Sequence, residues 1–120
     1  MSGLHQAALM CQTSIMHILL DNGANVDIKD NKGLRPLHYS SWQGKLEPVT
    51  LLLRYNSSVN EPANHGESPL HLACQHGHLE ITCYLLCHGA SLTVRNDEYK
   101  TPLDLACEFG RHKVVKYNFY

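Results

Sequence analysis

Histidines and cysteines are the side chains of this chain whose types could support catalysis or metal binding. The sequence contains nine histidines and five cysteines. Cys83 and Cys87 are one helical turn apart, followed by His88, and His76 and His78 could supply further zinc ligands. A structural zinc site usually pairs two closely spaced ligands with a second pair at a set distance, and Cys87 and His88 would point apart on a helix. Metal binding is therefore only a remote alternative.

A cysteine nucleophile is the other chemistry to consider. Such a residue needs a positioned base and an oxyanion site, and the sequence shows neither pattern. Glycine-rich phosphate loops and paired catalytic carboxylates are also missing from the sequence. We therefore predict that the chain is not an enzyme and uses no cofactor.

An internal repeat accounts for most of these residues. The sequence superimposes on itself without gaps at a shift of 33 residues. One position of the repeat holds Leu4, Leu37, Leu70 and Leu103, and the next holds His5, His38, His71 and Asp104. Cys74 and Cys107 lie at a position that is otherwise small, where a thiol packs like alanine. A fixed period of this length indicates stacked helical repeats.

Each copy is predicted to contain two short helices and a polar connector. Ser68-Pro69 and Thr101-Pro102 place a capping hydroxyl before a proline at the first helical position. One such unit cannot bury its own apolar face, so the copies must stack. We predict an all-α repeat solenoid forming one domain over residues 1–120. The partial first copy covers 1–32, full copies cover 33–65 and 66–98, and a truncated fourth copy covers 99–120.

The charge pattern narrows the class of partner. Ten basic and eleven acidic side chains give a formal net charge of −1, with no run of like charge. This balance disfavours nucleic acid as a partner. No apolar stretch is long enough for membrane insertion, and no signal peptide is evident. Together with the odd number of cysteines, this predicts a reduced, cytoplasmic protein.

The segments Gly66–Ala73 and Gly77–Ile81 resemble the ankyrin repeat, and the resemblance extends from Leu4 to about Lys116. It implies stacked helix-turn-helix repeats with protruding β-hairpin-like loops that bind other proteins or peptides. It also implies a structural role for His5, His38 and His71, as hydrogen-bonding groups between turn and helix.

Four further segments resemble the ankyrin region of the caskin scaffold proteins: Val26–Asp30, Arg35–Tyr39, Trp42–Val49 and Lys100–Arg111. This narrower resemblance implies a cytoplasmic adaptor in signalling, with SH3 and SAM modules in a longer parent. Neither end has the polar character of a capping repeat, so we expect a fragment or a truncated isoform. Its oligomeric state stays open.

The positions that vary between copies are the candidate binding residues. The resemblance implies that two neighbouring positions of the first helix face the concave side of the stack. Those positions hold Trp42, Gln43, Gln75, His76, Glu108 and Phe109. Trp42 is the strongest candidate, because tryptophan supplies a large amphipathic contact in protein interfaces. The alternative is that Trp42 only packs against the neighbouring repeat.

The tips of the connectors supply a second row of candidates, Lys32, His65, Glu98 and Tyr99. Their charges differ between copies, which favours specific pairing with a partner, although a solvated rim would have the same pattern. Asn60 occupies a position that the ankyrin resemblance permits to be hydroxylated. The alternative function for the whole segment is a structural spacer, with partner sites elsewhere in a larger protein.

Overall fold

The computed structural model describes the backbone of residues 1–119 and the side chains of residues 1–117. The described part is helical, with no strand among its residues. Its eight helices are α1 (Gly3–Leu9), α2 (Thr13–Asp21), α3 (Pro36–Gln43), α4 (Leu46–Arg54), α5 (Pro69–Gln75), α6 (Leu79–Cys87), α7 (Pro102–Glu108) and α8 (His112–Phe119).

The helices form two layers. Helices α1, α3, α5 and α7 contact one another in that order and make the first layer, while α2, α4, α6 and α8 make the second in the same order. We call the pairs α1–α2, α3–α4, α5–α6 and α7–α8 the first to fourth repeats. The stack measures 42 × 25 × 22 Å. The predicted all-helical repeat solenoid is therefore confirmed.

The first-layer helices begin where the repeated hydroxyl and proline predict. The side chains of Ser2, Ser68 and Thr101 accept hydrogen bonds from backbone N–H groups three residues later. Proline begins helices α3, α5 and α7, where its missing N–H group has no cost. The second-layer helices end before residues with left-handed backbone angles, φ +89° at Gly23, +67° at Asn56 and +91° at Gly89.

The core lies between the two layers and runs along the stack. Its large residues are leucines and other apolar side chains at the repeated positions, such as Leu37, Leu70 and Leu85. Small buried residues, Ala7, Ala73 and Ala106, recur at one position of the first-layer helices. Small side chains let adjacent helices approach closely, so the core joins each repeat to the next.

The connectors fold back on themselves and also bond to one another. The N–H of Asp30 donates to the carbonyl of Leu34 across one tip, at 2.9 Å. The N–H of Asn64 then donates to the carbonyl of Lys32 at 3.0 Å, and the N–H of Asp97 donates to the carbonyl of His65 at 3.0 Å. These bonds between successive connectors hold the tips in a row at fixed spacing, although no residue of the described tips is in a strand.

Gly33 marks the point where one connector packs against the next. Its φ of +73° is left-handed, and a Cβ there would lie 2.9 Å from the backbone nitrogen of Asn64. Tyr99 holds the equivalent position in the fourth repeat with φ +61° and is 80% exposed. The close approach therefore requires glycine at Gly33, whereas the described part of the chain leaves room for a side chain at Tyr99.

We predict that Gly33→Ala destabilises the protein more than Gly23→Ala does. Both glycines have left-handed angles, but nothing lies within 4 Å of a Cβ at Gly23. Gly23→Ala should cost about 1 kcal/mol in unfolding free energy, and Gly33→Ala about 3 kcal/mol, because the overpacking adds to the conformational cost. Urea unfolding of both variants measures the difference. Equal costs would contradict the close approach of the connectors.

Candidate functional site

The repeated histidines, His5, His38 and His71, form the hydrogen bonds that hold the repeats around the candidate site in place. In the third repeat, the backbone N–H of Ser68 donates to Nδ1 of His71 at 3.1 Å, and Nε2 of His71 lies 2.9 Å from the carbonyl oxygen of Lys100. Because a carbonyl can only accept, Nε2 must carry the proton. His5 and His38 make the equivalent bonds to Leu34 and Glu67, at 2.8 and 3.0 Å. The predicted structural role of the three histidines is confirmed.

Each of these histidines therefore links three parts of the stack: its own helix start, the connector before it, and the next repeat. Asp104 replaces the histidine in the fourth repeat. Its carboxylate accepts from the N–H of Thr101 at 2.9 Å, so it keeps the capping bond. A carboxylate has no proton to donate, so Asp104 cannot make the bond toward a following repeat. This capping bond, with the nearby cations Arg95 and Lys100, lowers the pKa of Asp104.

Trp42 lies in a depression between a connector tip and the first-layer helices. The depression has a volume of about 270 Å³ and is lined by Lys32, Leu34, His38, Tyr39, Trp42 and Leu72. We call it the Trp42 depression. The side chain of Trp42 is 44% exposed, so a large apolar surface remains open to solvent. The structure thus brings together two predicted binding residues, Lys32 and Trp42.

The floor of this depression is fixed by hydrogen bonds to the second-repeat connector. The hydroxyl of Tyr39 donates to the carboxylate of Asp30, whose other oxygen accepts from the N–H groups of Lys32 and Leu34 at 2.9 Å each. Burial and the bond to Asp30 raise the pKa of Tyr39 to about 12. Tyr39 therefore stays protonated and continues to donate throughout the physiological range.

Two of the predicted concave-face residues, Trp42 and Gln75, accept hydrogen bonds at their backbone carbonyls from side chains of the following repeat. We call these two residues and their equivalents in the other repeats the binding row. Nε2 of His78 lies 2.9 Å from the carbonyl oxygen of Trp42, and Nε of Arg111 donates to the carbonyl of Gln75 at 2.8 Å. The two bonds are related by the 33-residue repeat. They hold the backbone of Trp42 and Gln75 from the following repeat, so the two side chains are positioned through their backbone.

His76 joins this row to its neighbours. Its ring is edge-on to the ring of Trp42, with 6.0 Å between centroids, and it stacks on the ring of His78 at 6.1 Å. Burial, with the nearby charges of His78 and Arg111, lowers the pKa of His76. Trp42 therefore also contacts the neighbouring repeat, as the alternative interpretation expected, while keeping nearly half of its surface exposed.

The remaining predicted residues differ in how available they are. Gln43, His65 and Glu98 are exposed, and Phe109 is 47% exposed. Glu108 forms an ion pair with Lys100 at 2.8 Å, so its carboxylate is already engaged in the free protein. Tyr99 projects from the third connector tip, which lies two repeats along the sequence from the tip at the Trp42 depression.

Sequence reasoning missed four residues that line the Trp42 depression, namely Leu34, His38, Tyr39 and Leu72. They come from two repeats. His38 shares its repeat position with the buried His5 and His71, and Tyr39 and Leu72 share theirs with the buried Leu105. The one sequence signal for this depression was Leu34, an apolar residue in a polar connector, close to the tip residue Lys32. Their contribution depends on how the connector bends over the helix, which periodicity does not specify.

Asn60 connects the second repeat to the third. Its Nδ2 donates to the carbonyl of Gly89 at 2.9 Å, and its Oδ1 accepts from the N–H of Ser91 at 2.8 Å. Asp27, one repeat earlier, accepts from the N–H of Ser58 at 3.1 Å. Asn60 is therefore a stacking residue with an exposed side chain, and its predicted hydroxylation stays a prediction.

The cysteines and histidines singled out for zinc do not converge. Within the described residues, no three histidine, cysteine or acidic side chains come together in a group that could hold a metal ion. Cys83 is half-buried and Cys87 is exposed on α6. His88 instead stacks on Tyr84, with its Nδ1 2.9 Å from the carbonyl oxygen of Tyr84. Burial raises the pKa of the Cys74 thiol to about 11, which disfavours the thiolate that a nucleophile would need.

Comparison with known proteins identifies the architecture. A family model for ankyrin repeats, covering three copies, matches residues 4–96 and 63–117. The chain belongs to the ankyrin-repeat family. Human BCL-6 corepressor-like protein 1 is 41% identical over 54 residues, which is 45% of this ankyrin chain and only 3% of that relative. None of the described helices is long and apolar enough to span a membrane.

We predict that this ankyrin stack becomes less stable as the pH is lowered, because His38 is more easily protonated in the unfolded chain. Burial lowers the pKa of His38 from an ordinary 6.5 to about 4. Because the unfolded chain has the higher pKa, unfolding takes up a proton between these pH values. The unfolding free energy should therefore decrease as the pH falls through this window, by up to about 1.4 kcal/mol per pH unit.

Urea unfolding between pH 7 and pH 4.5 measures this slope. His38→Asn should be less stable at pH 7 and should show a shallower slope than the wild type. A nitrogen NMR spectrum at pH 5.5 should also show His38 unprotonated at Nδ1. An unchanged slope in the variant, or a protonated His38 at that pH, would contradict the assignment.

Proposed function

We propose that this ankyrin chain is a protein-binding segment whose partner occupies the Trp42 depression and reaches the connector tips. The observation that carries the proposal is the partly exposed tryptophan in an apolar depression beside an exposed lysine, Lys32. Ankyrin repeats generally mediate protein–protein interaction, and such interfaces favour a central aromatic residue within a polar rim.

The free protein provides a preformed site. The carbonyl of Trp42 is bonded to His78, and the tip is bonded to Tyr39 through Asp30, so the backbone around the depression is constrained before any partner binds. Preorganisation of this kind reduces the entropy lost on binding. A spacer segment would have no need for an exposed tryptophan, so binding is favoured over the spacer alternative.

The wider role of the segment is a further part of the proposal. The caskin-like segments support an adaptor or scaffold in cytoplasmic signalling, and the partial match to a corepressor-like relative also supports a segment within a larger protein. The chain spans only 3% of that relative. Asn60 remains the proposed hydroxylation site, with an exposed side chain that an enzyme could approach.

We predict that Trp42→Ala abolishes most partner capture, and that Tyr99→Ala weakens it less. Truncating a central interface tryptophan typically costs at least about 2 kcal/mol, or a roughly thirtyfold loss of affinity. Proteins cross-linked to the wild-type chain in cell extract can be quantified by mass spectrometry. Ile15→Ala is the matched control, because Ile15 is 45% exposed on the second-layer helix α2.

The captured set should be lost with Trp42→Ala and retained with Ile15→Ala, while thermal unfolding confirms that both variants fold. If both Trp42→Ala and Tyr99→Ala capture the same proteins as the wild-type chain, in the same amounts, the site is rejected and a spacer is favoured.

A further inference from the structure

A second depression lies one repeat further along the stack and is cationic. It has a volume of about 180 Å³ and is lined by His76, Gly77, Arg111, His112, Lys113 and Val114. We call it the cationic depression. In the described part of the chain, carboxylates pair with Arg35, Arg95 and Lys100, whereas none pairs with Arg111 or Lys113. Within residues 1–117, the positive charge of the cationic depression therefore has no carboxylate partner.

The two depressions form one surface, because His76 lines the second and its ring contacts Trp42 of the first. An apolar site with Lys32 at its edge thus continues into a site with several cations. Adjacent first-layer helices are about 10 Å apart, which roughly three residues of extended chain can span. The spacing of the two sites therefore matches the reach of a short peptide segment.

We propose that the Trp42 depression and the cationic depression form one groove, which binds an extended acidic segment of a partner protein. One large apolar side chain of the segment lies in the Trp42 depression, and carboxylates three or four residues away lie in the cationic depression. The inference rests on the proposed function and specifies the class of partner. Charge complementarity of this kind sets partner choice and association rate, and it weakens with added salt.

The same groove is poorly suited to a nucleic acid. A phosphate backbone requires positive charge along its whole path, but the connector tips next to the fourth repeat carry the exposed acidic residues Asp97 and Glu98. The Trp42 depression is mostly apolar and accepts a side chain rather than a phosphate. A peptide that combines an apolar residue with carboxylates satisfies both parts of the surface.

When such a segment binds, we also expect His76 to become protonated. The groups facing this imidazole are His78 from its own turn and Arg111, His112 and Lys113 from the next repeat. Burial, together with His78 and Arg111, disfavours the charged imidazole of His76 in the free protein and lowers its pKa. A bound carboxylate reverses that effect and raises the pKa of His76, so affinity should increase as the pH falls from 7.5 to 6.

The test uses the peptide Glu-Glu-Ser-Ser-Phe-Ser-Ser-Glu-Glu, which presents carboxylates three residues from phenylalanine in either chain direction. Trp42 is the single tryptophan, so its fluorescence reports binding at the site itself. At low salt the acidic peptide should bind about tenfold more tightly than a version with serine for glutamate, and a version with lysine should bind least. A thymidine oligonucleotide of equal charge serves as the nucleic-acid probe.

Lys113→Glu and Lys32→Glu should each weaken the acidic peptide about fivefold and leave the serine peptide unchanged. Arg54→Glu, an equal charge change at an exposed position of α4, should alter neither. The proposal of an acidic partner segment would be overturned if the lysine peptide or the oligonucleotide bound most tightly. It would also be overturned if no peptide bound. Equal binding of all three peptides would also overturn it, while Trp42-dependent capture of proteins from extract would still support the proposed function.

Discussion

The fold depends most on one repeated interaction, the hydrogen bond from a buried histidine to a carbonyl of the next repeat. Each histidine accepts from a backbone N–H of the residue before its own helix and donates across to the following connector. A neutral imidazole is needed for this, because only the neutral ring has one accepting and one donating nitrogen. The interaction ties each repeat to the place where the next connector ends and the next first-layer helix begins, so the positions of the tips and helices follow from it.

In the proposed function, the partner is bound by side chains that this hydrogen-bonded frame holds in place and leaves accessible. His78 and Arg111 bond to the carbonyls of Trp42 and Gln75, so the backbone of the binding row is held by the following repeat. Trp42 then presents an open ring surface beside Lys32. Glu108 differs from Trp42. It also lies at a position that varies between repeats, but its carboxylate already forms an ion pair with Lys100 of the same chain.

The sequence predicted the repeat fold well because its signals are local and recur. Capping hydroxyls at Ser2, Ser68 and Thr101, and the prolines and left-handed residues of most copies, recur at intervals of 33 residues or a multiple of it. Their physical roles do not depend on distant contacts. The histidine role also followed from its repeated position. The Trp42 depression could not be predicted, because Leu34 and Tyr39 meet Leu72 only after the connector bends over two helices. The cationic depression was missed for the same reason, since His76 and Lys113 are far apart in sequence but belong to adjacent repeats.

The most direct test of the histidine frame is hydrogen–deuterium exchange of His71→Asn. Asparagine can still accept the capping bond from Ser68, but its shorter side chain cannot reach the carbonyl of Lys100. We expect faster exchange in the fourth repeat, residues 99–117, with little change in the second repeat, residues 36–56. Uniformly faster exchange, or no change in the fourth repeat, would contradict the view that this bond couples each repeat to the next.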